Sequence, residues 1–296
     1  MTPVNLLNLK SNEMEVFIDS FDHVFSDCDG VLWTTQGPLP GVSEFLNLMK
    51  KRGKTVTFVS NNSLRSTKNY EDMFKAAEIE NGVENLIIPS IAIAEYLKSL
   101  NFNKKVYCVT TREAINVIKS YGFECDSGPD VVQIDDYETY FLPFLEDDEE
   151  IGAVVFDSDL EINMAKLYRA TTYLSRPDVH FLMGASDKYF IHKPGRFDLS
   201  PALFVNLLEE KVNRKAEVLG KPAKLFGQLA MKRTGVKDPS RVLFMGDMIE
   251  QDVGVGKATG FKTLLLLTNV SVDTMMANSL KPDYYAPSLN SLVPKL

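Results

Sequence analysis

Val24-Phe25-Ser26-Asp27-Cys28-Asp29-Gly30 begins as a short apolar strand and ends in two carboxylates and a glycine. Further along, Thr55-Val56-Thr57-Phe58-Val59 is β-branched and aromatic, and it runs into Ser60-Asn61-Asn62-Ser63. Between the two, Val42, Phe45, Leu46 and Met49 recur at helical spacing before Gly53. That is a strand–helix–strand unit, and it predicts an α/β fold with helices on both faces of a parallel, doubly wound sheet.

The alternation returns near the C-terminus. Glu217-Val218-Leu219 leads to Gly220-Lys221-Pro222, and Arg241-Val242-Leu243-Phe244-Met245 leads to Gly246-Asp247. A helix over about 251–258 then precedes a strand from Thr263 to Leu267. Four polar clusters thus fall just beyond the C-terminal ends of four strands, the edge at which open parallel sheets bind ligands. The stretch from about 104 to 192 has its own strand–helix rhythm, with strands at 106–109, 153–156, 180–183 and 189–192. It reads as a second α/β domain, residues 102–194, inserted into a core formed by 1–101 and 195–296.

Composition narrows the function classes. In 296 residues, 45% are apolar and 24% charged, enough for buried cores and too apolar for a disordered chain. No apolar run approaches the roughly 18 residues that cross a bilayer, and Met1 to Lys10 lacks a basic segment followed by an apolar one. Net charge is −8, which argues against nucleic-acid or anionic-membrane partners but leaves phosphate-bearing small molecules open. Cys28, Cys108 and Cys125 do not make a disulfide framework, so a soluble, cytoplasmic protein is expected. His23, His180 and His192 lack zinc-ligand spacing.

Each cluster has an ordinary structural reading of its own. Asp27 and Asp29, two apart on extended backbone, aim alike and repel, which a Mg²⁺ ion would relieve; an Asx turn capping a helix is the alternative. Gly30 permits a sharp turn and leaves its N–H open to a phosphoryl oxygen. Asp247 and Asp252 suit a helix N-terminus, Ser60 and Asn61 a turn, and Lys221 a surface. Their shared sheet edge favours function. A carboxylate nucleophile, a second carboxylate for proton traffic, a cation site, a lysine and hydroxyl and amide donors together fit phosphoryl transfer.

The chain resembles the haloacid dehalogenase superfamily of phosphatases, whose pattern is DxDG(V/T), then Ser/Thr, then Lys, then GD with a further Asp. The nearer resemblance is to its p-nitrophenylphosphatase, phosphoglycolate phosphatase and pyridoxal phosphate phosphatase subgroup. It is carried by Ser26-Asp27-Cys28-Asp29-Gly30-Val31-Leu32-Trp33, Val59-Ser60-Asn61-Asn62-Ser63, Gly220-Lys221-Pro222 and Gly246-Asp247-Met248-Ile249-Glu250-Gln251-Asp252. The resemblance implies a Rossmann-like doubly wound parallel sheet core with an inserted α/β cap domain. It further implies that Asp27 is the nucleophile and Asp29 the proton donor. Ser60, Lys221, Gly30 and Asn61 would then hold the phosphoryl group, and Mg²⁺ would sit on Asp27, the Asp29 carbonyl and Asp247, with Asp252 supporting that shell or pairing with Lys221. It allows a homodimer through the cap.

Two cap segments depart from the family. Relatives carry Thr-Asn-x-Asp where this chain has Gly184-Ala185-Ser186-Asp187, and Pro-Gly-x-Gly-Ser where it has Phe197-Asp198-Leu199-Ser200-Pro201. Asp187 and His192 are the cap candidates for touching substrate, a small phosphorylated metabolite whose identity stays open. A phosphometabolite sensor and a phosphomutase are the competing functions. Gly254-Val255-Gly256-Lys257-Ala258-Thr259-Gly260 only approximates a dinucleotide fingerprint, and Asn269-Val270-Ser271 reads as a chance glycosylation sequon.

Overall fold

The computed structural model describes residues 2–130, 138, 142–187, 189–193 and 196–296. It divides into two compact units, Met1–Ile88 with Lys221–Leu296, and Pro89–Gly220.

The first unit is built on a seven-stranded sheet in which every pairing is parallel. In spatial order its strands are Val4–Asn5, Tyr284–Ala286, Lys262–Leu266, Val242–Gly246, His23–Ser26, Thr55–Val59 and Leu86–Ile87. His23–Ser26 sits between Val242–Gly246 and Thr55–Val59, with Phe25 beside Phe244 and Thr57. All five residues of Val242–Gly246 are buried, as expected of a central strand covered by helices on both faces. The helix Val42–Lys51 buries Val42, Phe45, Leu46 and Met49, the residues whose spacing predicted it. Each such side chain contributes roughly 1.5–3 kcal/mol by leaving water. Trp33, fully buried, meets Phe74 edge to face at 5.0 Å and anchors the loop that follows Asp29.

The second unit carries its own parallel sheet, ordered Glu217–Val218, His180–Met183, Ile151–Phe156, Lys105–Val109 and Cys125–Ser127. Tyr107, Val154, Phe156, Tyr173 and Phe181 form its core. This unit is wider than the expected 102–194, and packing supplies the reason. The helix Pro89–Ser99 packs on Arg112–Ser120, and Val205 and Leu208 of the helix Leu203–Val212 lie in the second core. Glu217–Val218 pairs with Leu182 and Met183. The strand before Lys221 therefore belongs to the second sheet, not to the core sheet where the sequence reading put it.

Candidate active site

The strand His23–Ser26 delivers Asp27 at its end, where the Asp27 N–H still donates to the Met245 carbonyl at 2.9 Å. The Asp27 side chain is buried, and its Oδ1 stands 2.7 Å from Lys221 Nζ. Lys221 is only 2% exposed and makes a second ion pair, also 2.7 Å long, with Asp252 Oδ1. The other Asp252 oxygen accepts from the backbone N–H groups of Asp247, at 3.0 Å, and Met248, at 2.8 Å. Asp252 is thus fully engaged in fixing the lysine and the turn after Val242–Gly246.

Asp27, Asp247 and Asp252 each place a carboxylate oxygen within 4.8 Å of the others. Burial pushes the Asp27 carboxyl well above the usual range; Lys221 opposes that displacement, while Asp252 and Asp247 add to it. Burial, then repulsion from Asp252, lifts Asp247 to about 7, against a hydrogen bond from Asn269. For Lys221, burial works against the ammonium charge, but attraction to Asp252 and Asp27 outweighs it and moves the group upward. Three buried acids therefore share one buried cation. Asn269 Nδ2 donates to Asp247 Oδ2 at 2.5 Å, whereas Asp247 Oδ1, also buried, has no hydrogen-bond partner among the described residues. An orphaned carboxylate oxygen beside excess negative charge fits a hard divalent cation, with Asp27 and Asp247 as its carboxylate ligands.

The phosphate-side residues come together with some changes of role. Gly30 has φ +80, and a Cβ there would lie 2.0 Å from Asp247 Oδ2, so only glycine lets the loop approach the cluster. Its N–H donates to the Trp33 carbonyl at 2.7 Å, which corrects the expectation of a donor open to phosphate. The turn that brings Trp33 back over Gly30 closes that bond. Asn61 Oδ1 accepts from the Lys221 N–H at 2.7 Å, and Asn61 Nδ2 donates to the Lys221 carbonyl at 3.0 Å. This two-bond clamp holds Lys221 at the site although its preceding strand lies in the other sheet. Ser60 is buried at the end of Thr55–Val59, its Oγ accepting from the Asn62 N–H at 3.1 Å.

Asp29 is the more exposed carboxylate, and its Oδ2 accepts from Arg65 Nη1 at 2.5 Å and Asn62 Nδ2 at 3.1 Å. Its carboxyl is outside the acidic cluster. Cys28, between the two aspartates, is fully buried; burial, then the charges of Asp27 and Asp29, pushes its thiol up. Asp187 and His192 belong to the second unit. Asp187 follows the strand His180–Met183 and is half-buried; His192 is on Tyr189–Lys193, with its side chain outside the described residues.

Sequence reasoning missed Asn269 and Arg65. Asn269 was read as a sequon, yet it follows the strand Lys262–Leu266 at the same sheet edge as Asp27 and Asp247, and that placement was the available signal. Arg65 lies on the loop after Thr55–Val59, also at that edge.

Comparison with known proteins accords with this geometry. The haloacid dehalogenase-like hydrolase family model matches residues 24–124, and a HAD-hydrolase-like one matches 218–292, so the two together span the four clusters. Phosphoglycolate phosphatase 2 of Arabidopsis thaliana is 30% identical over 294 residues, which is 96% of each chain. The glycerol-3-phosphate phosphatase of Rattus norvegicus is 27% identical and covers 99% of this chain and 96% of its own. Among solved structures, p-nitrophenyl phosphatase from Archaeoglobus fulgidus has a TM-score of 0.78 at 25% identity, covering 94% of this chain and 100% of that one. Likeness along nearly the whole length, joined to the converging carboxylates, settles the class: the chain belongs to the haloacid dehalogenase-like hydrolases and is a phosphatase.

Proposed function

We propose that this phosphatase is a Mg²⁺-dependent hydrolase of small phosphorylated metabolites that works through an aspartyl-phosphate on Asp27. The observation that carries the reading is the placement of Asp27, tied to buried Lys221 at 2.7 Å beside an Asp247 oxygen that nothing among the described residues satisfies. In the first step the Asp27 carboxylate attacks phosphorus, and Asp29 gives a proton to the leaving ester oxygen. In the second, water attacks the phosphoryl group and Asp29 takes a proton from it, releasing inorganic phosphate and free Asp27. Lys221 and Ser60 hold the phosphoryl oxygens, and Asn61 acts through its grip on Lys221. A divalent cation on Asp27, Asp247 and the Asp29 carbonyl supplies further neutralisation of those oxygens.

Phosphoglycolate and glycerol 3-phosphate head the substrate candidates, because relatives alike over nearly the whole chain bear those names. The same reading keeps the protein in the cytoplasm, with Cys28, Cys108 and Cys125 as free thiols, and makes the metabolite its principal partner.

The test is Asp27→Asn assayed on p-nitrophenyl phosphate with Mg²⁺. We expect a loss on the order of 10³-fold or more in kcat with folding intact. Retention of most of the wild-type rate contradicts the assignment. Release of stoichiometric inorganic phosphate from the preferred ester separates hydrolysis from a mutase, which would return an isomeric phosphate ester instead.

A further inference from the structure

Among the described residues, the hydrogen bonds of Asp29 all fall on one oxygen, Oδ2, which faces Arg65 and Asn62. The Arg65 guanidinium lies over the ring of Tyr70, 5.9 Å from its centroid, and Tyr70 is buried. The Tyr70 hydroxyl in turn stands 3.2 Å from Ser60 Oγ and 2.8 Å from the Asn62 carbonyl. One loop, residues 60–65, therefore presents Ser60 and fixes Asp29. The Arg65 side chain is 18% exposed, and it lines a cavity of about 340 Å³ with Trp33, Pro38, Met73 and Ala76. A guanidinium stacked on a buried ring and walled along its stem has few other rotamers, so this pair is held more firmly than an ordinary surface ion pair.

We infer that Arg65 is a positioning residue for the reaction: with Asn62 it holds Oδ2 of Asp29 and leaves Oδ1 as the oxygen that carries the proton. The inference rests on Asp29 being the proton donor, as proposed above. When the ester P–O bond breaks, its electron pair stays on the departing oxygen and the Oδ1 proton moves to it. Asp29 is left as a carboxylate facing Arg65. When water then bonds to phosphorus, Oδ1 takes back a proton, and the electron pair of the Asp27–phosphorus bond returns to Asp27.

Fixing the donor matters in proportion to the leaving group's need for a proton. p-Nitrophenolate departs without one, whereas an alkoxide does not. A residue that only supported the fold would affect both kinds of ester alike.

Arg65→Met keeps the stem against the cavity and removes the guanidinium, and Arg65→Lys restores a cation without the fork. Both are assayed, with Asp29→Asn, on p-nitrophenyl phosphate and on an alkyl phosphomonoester that the wild type hydrolyses. The readout is kcat/KM, which reports the step that expels the leaving group. For Arg65→Met we expect a loss on the order of 10²-fold on the alkyl ester and less than about fivefold on p-nitrophenyl phosphate, with Arg65→Lys in between. Equal losses on both esters, or no loss on either, overturn the inference. Asp29→Asn distinguishes the two levels of failure. If it shows no dependence on the leaving group, the proton-donor reading fails. If it shows the dependence and Arg65→Met does not, the role of Arg65 alone fails.

Discussion

Among the described residues, two parallel sheets each end in carboxylates around one buried lysine, yet three carboxylates converge on one another at only one of these edges. In the inserted unit, Lys166 is buried and pairs with Asp159 at 2.9 Å and Asp130 at 3.2 Å. Asp157 Oδ1 accepts from the backbone N–H groups of Ser158, at 2.8 Å, and Ala185, at 3.1 Å. Among the described residues, the carboxylates of this edge do not form a group of three within 4.8 Å of one another. In the core unit, Asp27, Asp247 and Asp252 lie within 4.8 Å of one another, Lys221 pairs with Asp27 and Asp252, and among the described residues one oxygen of Asp247 has no hydrogen-bond partner. The edge of a parallel sheet is therefore not by itself a site. What marks the core edge is the convergence of three buried carboxylates, whose mutual repulsion a cation from outside the chain can relieve.

The largest contrast should come from removing the lysine of each sheet. Lys221→Met leaves three buried acids without a cation; we expect phosphatase kcat to fall on the order of 10²–10³-fold and the metal-free protein to lose about 3–5 kcal/mol. Lys166→Met should lower stability as well, through Asp159, while p-nitrophenyl phosphate turnover stays within about threefold of wild type. Urea unfolding and steady-state kinetics on both variants check this. Equal activity losses would erase the distinction between the two edges.

A smaller effect appears in the pH dependence of stability. The Asp247 carboxyl titrates at about 7 in the fold, against roughly 3.9 in an unfolded chain. Between those values the folded state binds more protons than the unfolded one, so this group's contribution to stability declines as pH rises from about 4 to 7 and stays low above. In EDTA, the Tm of wild type minus that of Asp247→Asn should fall between pH 5 and 7.5. Millimolar Mg²⁺ should recover the wild type at pH 7.5 and do little at pH 5. A difference in Tm that is flat with pH contradicts the charge-excess account.

The sequence reading located the core clusters because strand ends are legible: an apolar, β-branched run stopping at polar residues marks Asp27, Ser60 and Asp247 without any knowledge of the fold. It misplaced the unit boundaries because an amphipathic helix does not declare which core it covers. Ala94 and Leu97 of Pro89–Ser99, like Val205 and Leu208 of Leu203–Val212, are buried in a pattern that either unit could have used. Lys221 looked like a fourth strand end on one sheet. It reaches the site instead through the Asn61 clamp, a contact across 160 residues that no local pattern encodes. Arg65 and Asn269 escaped for the same reason, since their partners Asp29 and Asp247 lie 36 and 22 residues away. Gly30 was rightly singled out for its turn, but the engagement of its N–H depends on where Trp33 returns.

The most direct measurement is mass spectrometry of the enzyme quenched in acid during turnover of p-nitrophenyl phosphate with Mg²⁺. The account predicts a phosphoryl group on Asp27, absent from Asp27→Asn and retained in Lys166→Met. A wild-type enzyme that turns over while Asp27 stays unmodified, or a label that persists in Asp27→Asn, would contradict it.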